Sequence, residues 1–320
     1  MDISPSVYEH AASFIGETPW KTSRDPRLFL RAHREAFLMY RHSPVLVGID
    51  IYNLEAEAYG ALVEEPTGCG VPAVTKHPCS TIDELADLPP FDPAAAGRIP
   101  MVAGVGVDLA ESLPGTDVRI PVSGPFSIAS SLMGFENLLC EATLRPDRTR
   151  SALIRLAEAQ VAFCEYIHRR RLGVSLFESA AAPPLLSPEL FRTVELPALK
   201  VLVERVSSSL GRSIPCILGG DTTPVLDCIL QTGARYVICP SETDQKAFME
   251  KMRARPDVAV RINMRPDIIA GGTWDEIRRE AERALELARD RENVCLGTGA
   301  LPYETPPENV VRLMEYVKSR

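Results

Sequence analysis

The chain has 320 residues, 35 Lys and Arg against 43 Asp and Glu, a formal net charge of −8, and 45% hydrophobic residues. That acidic balance leaves no electrostatic footprint for nucleic acid or anionic lipid, and no apolar run reaches the roughly 18 residues a membrane helix needs. The opening MDISPSVYEHAASF lacks the basic-then-apolar order of a leader peptide, and 8 cysteines lie scattered without CxxC spacing. This combination leads us to expect a cytoplasmic protein with reduced thiols.

The elements follow in chain order. Residues 1–40 read as an N-terminal helical extension, and 41–320 as a single domain. The 27 prolines fall in short punctuating groups such as Pro89-Pro90 and Pro183-Pro184, with no linker-like tract. Short apolar runs at Val45–Ile49, Val118–Val122, Val174–Phe177, Ile214–Leu218, Tyr236–Cys239, Val258–Ile262 and Val294–Leu296 read as strands buried on both faces. An eighth is sought around Met101–Val107.

Amphipathic helices are expected between them, over Arg148–Arg171, Pro188–Leu210, Thr222–Thr232, Thr243–Arg253, Thr273–Arg289 and Pro307–Lys318. Ser187 is placed as an N-cap, and Thr273/Glu276 and Thr305/Glu308 as capping boxes. Strand–helix alternation over this length implies an α/β fold, a (β/α)8 TIM barrel. An open doubly wound sheet is the competitor, without a GxGxxG to make it a dinucleotide binder.

Barrel chemistry sits at the carboxyl ends of the strands. Reading past each run yields Asp50, Tyr52, Asn53 and Glu57 after the first, Ser123 and Gly124 after the next, then Glu178, Asp221, Glu242 and Asn263. Several carboxylates would converge on one mouth, where burial raises pKa values toward those of general acids. The competing assignment for Asp221 and Glu242 is helix capping. Glu178, Asp221 and Asp50 are the candidate catalytic acids; Tyr52, Asn53, Glu57, Ser123, Gly124, Asn263 and Arg265 are the candidate substrate contacts.

Several segments resemble the uroporphyrinogen decarboxylase superfamily. They are Gly48-Ile-Asp-Ile-Tyr-Asn-Leu-Glu-Ala-Glu-Ala-Tyr-Gly60, Val122-Ser-Gly-Pro-Phe-Ser127, Met133-Gly-Phe-Glu136, Leu186-Ser-Pro-Glu-Leu-Phe191, Gly220-Asp-Thr-Thr-Pro224 and Glu304-Thr-Pro-Pro-Glu-Asn309. The resemblance covers about residues 30–320 and implies the barrel fold. Tyr52-Asn-Leu-Glu-Ala-Glu57 and the Thr-Thr-Pro motif look more like the corrinoid-dependent methyltransferase branch than the decarboxylases. The resemblance therefore implies methyl exchange between a small methyl donor or acceptor and a corrinoid (methylcobalamin) presented by a carrier protein.

That branch uses a His-x-Cys pair and a later Cys to hold zinc. The matching positions here are Ile217, Gly219 and Gly299, so no metal site is expected. Cys216 has the wrong strand parity, and Cys295 lies too deep. Cys239 and the pair His77/Cys79 are the remaining candidates for a relocated site. Arg265, with Arg261 in the preceding strand, keeps a carboxy-lyase acting on an acidic tetrapyrrole as the alternative. A third reading is an inactive corrinoid- or tetrapyrrole-binding protein.

Overall fold

The computed structural model describes all 320 residues. Ten strands occur in chain order. They are β1 (Ile3–Ser6), β2 (Val45–Leu46), β3 (Leu62–Glu64), β4 (Ala73–Lys76), β5 (Val118–Ser123), β6 (Gly173–Phe177), β7 (Cys216–Ile217), β8 (Tyr236–Cys239), β9 (Ala259–Asn263) and β10 (Val294–Ala300). β3 and β4 form a separate antiparallel hairpin. The other eight pair in parallel in the order β1-β10-β9-β8-β7-β6-β5-β2, with no ladder between β1 and β2. The result is a nearly closed (β/α)8 barrel with one seam.

Seven of the eight strands coincide with the apolar runs, because a parallel strand covered on both faces has no polar side to show. The eighth does not lie at Met101–Val107, which is the middle of a helix, Ile99–Ser112. Its buried positions Ile99, Val102, Ala103, Gly106 and Leu109 follow helical spacing. A Cβ on Gly106 would stand 2.9 Å from Leu172 and 3.0 Å from Ile120, so the glycine lets this helix lie close on the sheet. A short apolar stretch fits a buried helix and a buried strand equally well.

The missing strand is β1, and this corrects the expectation of a purely helical extension over residues 1–40. Ile3 and Ser4 pair with Leu296 and Gly297; the register shifts at Pro5, after which Ser6 pairs with Ala300. Pro5 donates nothing to a ladder, a defect tolerated in a strand that is hydrogen-bonded on one side alone. Helices His10–Ser13, Pro19–Thr22 and Pro26–Tyr40 then lead into β2.

Local chemistry sets the helix ends. Ser187 Oγ accepts from Leu190 N, and Thr273 with Glu276 forms a capping box. Thr305 and Glu308 do not, because the Pro306-Pro307 pair moves the helix start and leaves Pro306 at the N-cap. Thr305 Oγ1 donates to Pro302 O instead. The helix from Pro188 to Leu210 passes through a π turn at Phe191–Glu195 just before Pro197. The wider turn accommodates a ring that can neither donate a hydrogen bond nor tolerate a normal preceding turn.

Candidate functional site

A cavity of about 380 Å³ opens at the carboxyl ends of the strands. Its walls take Ser6, Tyr8 and Glu9 from the N-terminal segment and Ile49 to Asn53 from the turn after β2. Further round the ring come Phe177 and Ser179, Ile217 and Gly219, Ile238, Pro240 to Glu242, Arg261 and Asn263, and Gly299. Along each strand, residues two apart face inward, as the period of a strand requires.

Asp50, Tyr52, Asn53 and Asn263 therefore meet in one place, as the strand-end reading expects. Asp50 is held by Arg98, whose Nη2 donates to Oδ2 at 2.7 Å and Nη1 to Oδ1 at 3.1 Å. Asn53 Nδ2 donates to the same Asp50 Oδ2 at 3.1 Å and to Pro72 O at 2.6 Å. Tyr52 Oη donates to Ser179 Oγ at 2.7 Å, and burial pushes its phenol pKa well up. Glu9, which the sequence reading did not single out, has its carboxyl pushed up by burial to about 7.

The other expected site residues lie elsewhere. Glu57 accepts from Arg24 Nη2 at 2.7 Å and Arg98 Nε at 2.5 Å, behind the cavity wall. It completes a four-residue ion network, in which Arg24 also stacks 3.4 Å from the Trp20 ring centroid. Ser123 is buried and gives both its N and its Oγ to Glu55, which also accepts from Gln160 Nε2. Arg265 is exposed and pairs with Asp267. Asp221 caps: its Oδ1 accepts from Thr223 N and Thr243 Oγ1. Gly220, at φ +77°, turns the chain after Gly219 and carries Asp221 off the cavity wall.

Glu178 is the largest correction. It is fully buried between the inward-facing Phe177 and Ser179, so it points away from the cavity. Its carboxylate accepts from Phe126 N at 3.1 Å and Ser127 N at 2.9 Å, capping the helix Pro125–Met133. Gly124 is not in the cavity wall either: its N donates to Phe177 O at 2.7 Å, and its missing side chain leaves room for Glu178, whose Oε2 would stand 2.0 Å from a Cβ. Glu178 also lies against Glu195, which the π turn presents to the buried interior. Burial raises Glu178 to about 7 and, with the neighbouring carboxylate, holds Glu195 well above the ordinary range. The two carboxyls neighbour each other in the buried interior, remote from the cavity, and burial favours their protonated forms.

The uroporphyrinogen decarboxylase (URO-D) family model matches residues 5–320. The chain belongs to that family. The solved structure of a methyltransferase from Methanosarcina mazei has a similar overall fold, with a TM-score of 0.84 at 21% identity over 99% of this chain and 94% of that one. No match is found among curated proteins.

Within the family frame, the three positions where the methyltransferase branch implies zinc ligands, Ile217, Gly219 and Gly299, all line the cavity. Their side chains offer no donor. Cys216 faces the opposite side, near Glu178 and Glu195, and burial pushes its thiol up. Cys239 lies between the inward-facing Ile238 and Pro240 and so also points away, correcting the access expected for it. His77 Nδ1 is engaged with Ser131 O outside the cavity, and Cys79 is buried. No three His, Cys, Asp or Glu side chains are grouped so as to hold a metal ion.

The sequence reading missed Arg98 and Arg24, whose signal appears only once distant segments meet. It noted Arg261 without assigning it to the cavity; parity with Asn263, two residues on, was a usable signal.

Two expected outcomes follow from these networks. Arg98→Ala leaves Asp50 and Glu57 short of their main partner, which is expected to cost about 3–5 kcal/mol in urea unfolding. Arg98→Lys, a point charge without the planar fork, falls between that and wild type. The Glu178–Glu195 pair holds protons that the unfolded chain releases near pH 4.3, so its stabilisation is lost as pH rises through the folded values. Wild type is therefore expected to lose stability as pH rises from about 5 to 7, by up to about 1.4 kcal/mol per pH unit for each carboxyl, and Glu195→Gln to lose less. Parallel melting curves across that range would refute the raised carboxyl pKa values.

Proposed function

We propose that the chain is a methyltransferase-like enzyme that moves a methyl group between a small substrate and a corrinoid held by a partner protein, without a thiol-activating zinc. The observation that carries this reading is the make-up of the cavity. At about 380 Å³ it lies at the low end of small-molecule sites. Arg261 is its one cationic side chain. A tetrapyrrole bearing many carboxylates would need more room and several cations, which weighs against the carboxy-lyase alternative. The likeness to the M. mazei methyltransferase along nearly the whole chain supports methyl transfer. The eight free cysteines suit a cytoplasmic setting.

The corrinoid would supply the cobalt centre that gives or takes the methyl group. The chain's own residues bind, orient and move a proton. Asp50, fixed by Arg98 and Asn53, and Tyr52, fixed on Ser179, present rigid polar atoms along one wall. Removing a methyl from an X–CH3 donor leaves the bonding pair on X, which then needs a proton. Glu9 lines the cavity and titrates near 7, so it takes the general-acid role first assigned to Glu178 or Asp221.

The test is reduced cobalamin mixed with protein and small methoxy or methylamino compounds, followed by visible spectroscopy. A shift to the methylcobalamin spectrum is expected. No shift with any donor, together with turnover of uroporphyrinogen, would sink the proposal. Glu9→Gln should lower the rate about 100-fold or more. The wild-type rate should fall as pH rises through about 7, where Glu9 loses its proton.

A further inference from the structure

Arg261 is the feature that neither the barrel nor the proposed proton chemistry explains. It is 6% exposed and lines the cavity floor. The less buried Arg24 and Arg98 rest on Asp50 and Glu57. Arg261 has no carboxylate within ion-pair distance. Its Nη2 donates to Ser4 O at 2.9 Å and Ser6 Oγ at 2.7 Å, while Nε is buried with no partner. A buried cation left unpaired is expensive, and an anion supplied from outside removes that cost.

Asn263, 8% exposed and on the same face of β9, has a buried Oδ1 that is also unpartnered. An unpaired acceptor calls for a donor, and turning the amide over puts the Nδ2 donor at that point, where it can meet an anion beside the guanidinium. Both side chains lie over Gly297 of the adjacent β10. A Cβ there would stand 1.9 Å from Arg261 Nε and 2.5 Å from Asn263 Oδ1. The glycine leaves room for the guanidinium and the amide to lie side by side. Two residues along a strand span about 6.6 Å, so the Arg261 backbone starts deeper than that of Asn263 and its side chain rises to bring the guanidinium level with the amide.

We infer that Arg261, with Asn263 beside it above Gly297, receives a carboxylate of the substrate at the floor of the cavity. The substrate is then a small monocarboxylate, its acid end buried and its methyl-bearing end toward the mouth, where a partner-borne corrinoid can reach it. The orientation rests on the methyl-transfer reading; the carboxylate site does not.

The experiment measures binding without turnover. Calorimetric titration of the full chain uses methoxyacetate, with methoxyacetamide as its neutral counterpart. Methoxyacetate is expected to bind saturably and at least tenfold more tightly than the amide. Arg261→Met should abolish that preference without lowering the melting temperature, since it removes an uncompensated charge. Arg261→Lys should weaken binding less. Gly297→Ala should weaken it by displacing the guanidinium, and Arg265→Ala, on the exposed surface, should leave it unchanged. Equal affinity for acid and amide, absence of saturable binding, or unchanged affinity in Arg261→Met would overturn the assignment. If Arg261→Met does not fold, Arg261→Lys and Gly297→Ala decide. Carboxylate binding without methyl transfer would leave this site standing and remove the transfer reading; transfer from neutral donors alone would do the reverse.

Discussion

The parallel pairing of Ile3–Ser6 with the last strand governs the rest of the molecule. Leu296 N donates to Asp2 O, Ser6 N to Thr298 Oγ1, and Leu301 N to Ser6 O, so a polar, proline-containing segment is tied in along its whole length. That tie brings the chain's first residues to the carboxyl end of the barrel. Ser4 and Ser6 become acceptors for Arg261, and Tyr8 and Glu9 become cavity wall. Without it the floor of the cavity would open to solvent, and the one lining cation would lose both of its hydrogen bonds.

A second constraint is how the acids are distributed. Many carboxylates lie near the mouth, but most are spent on the scaffold. Glu55 gathers Ser123 and Gln160, Glu57 holds two arginines, Glu178 caps a helix, and Asp221 fixes a turn. Each is desolvated or engaged in a way that secures a loop around the cavity. What remains facing the lumen is sparse: Asp50 already neutralised by Arg98, Glu9 near neutrality, Glu242 at the rim and an unpaired guanidinium. A small cavity with one deep cation and a perturbed acid near its mouth is an asymmetric environment, suited to holding a small molecule in one direction.

The barrel and its parallel strands were legible in the sequence because strands covered on both faces must be apolar throughout, and the helices between them must not be. Asp50, Tyr52, Asn53 and Asn263 were legible because they follow such strands directly. The residues of β1 were not: Ser-Pro-Ser carries no apolar signal, and a strand paired on one side can afford that. Nor could Met101–Val107 be told from a strand, since a helix buried against the sheet is equally apolar. For Glu178, Ser123 and Gly124 the sequence supplied position but not direction. Their partners stand 51 to 68 residues away, on Ser127, Glu55 and Glu178.

The order of residues alone thus determined the fold class, most of the sheet and the stretch of chain that meets the mouth, because periodicity and burial are local properties. Tertiary structure alone decided which side chains face inward, which acids are consumed by capping, and that Arg261 stands unpaired over a glycine of the next strand. Those outcomes depend on hydrogen-bond partners and close contacts between segments far apart in the chain, and no local pattern encodes them.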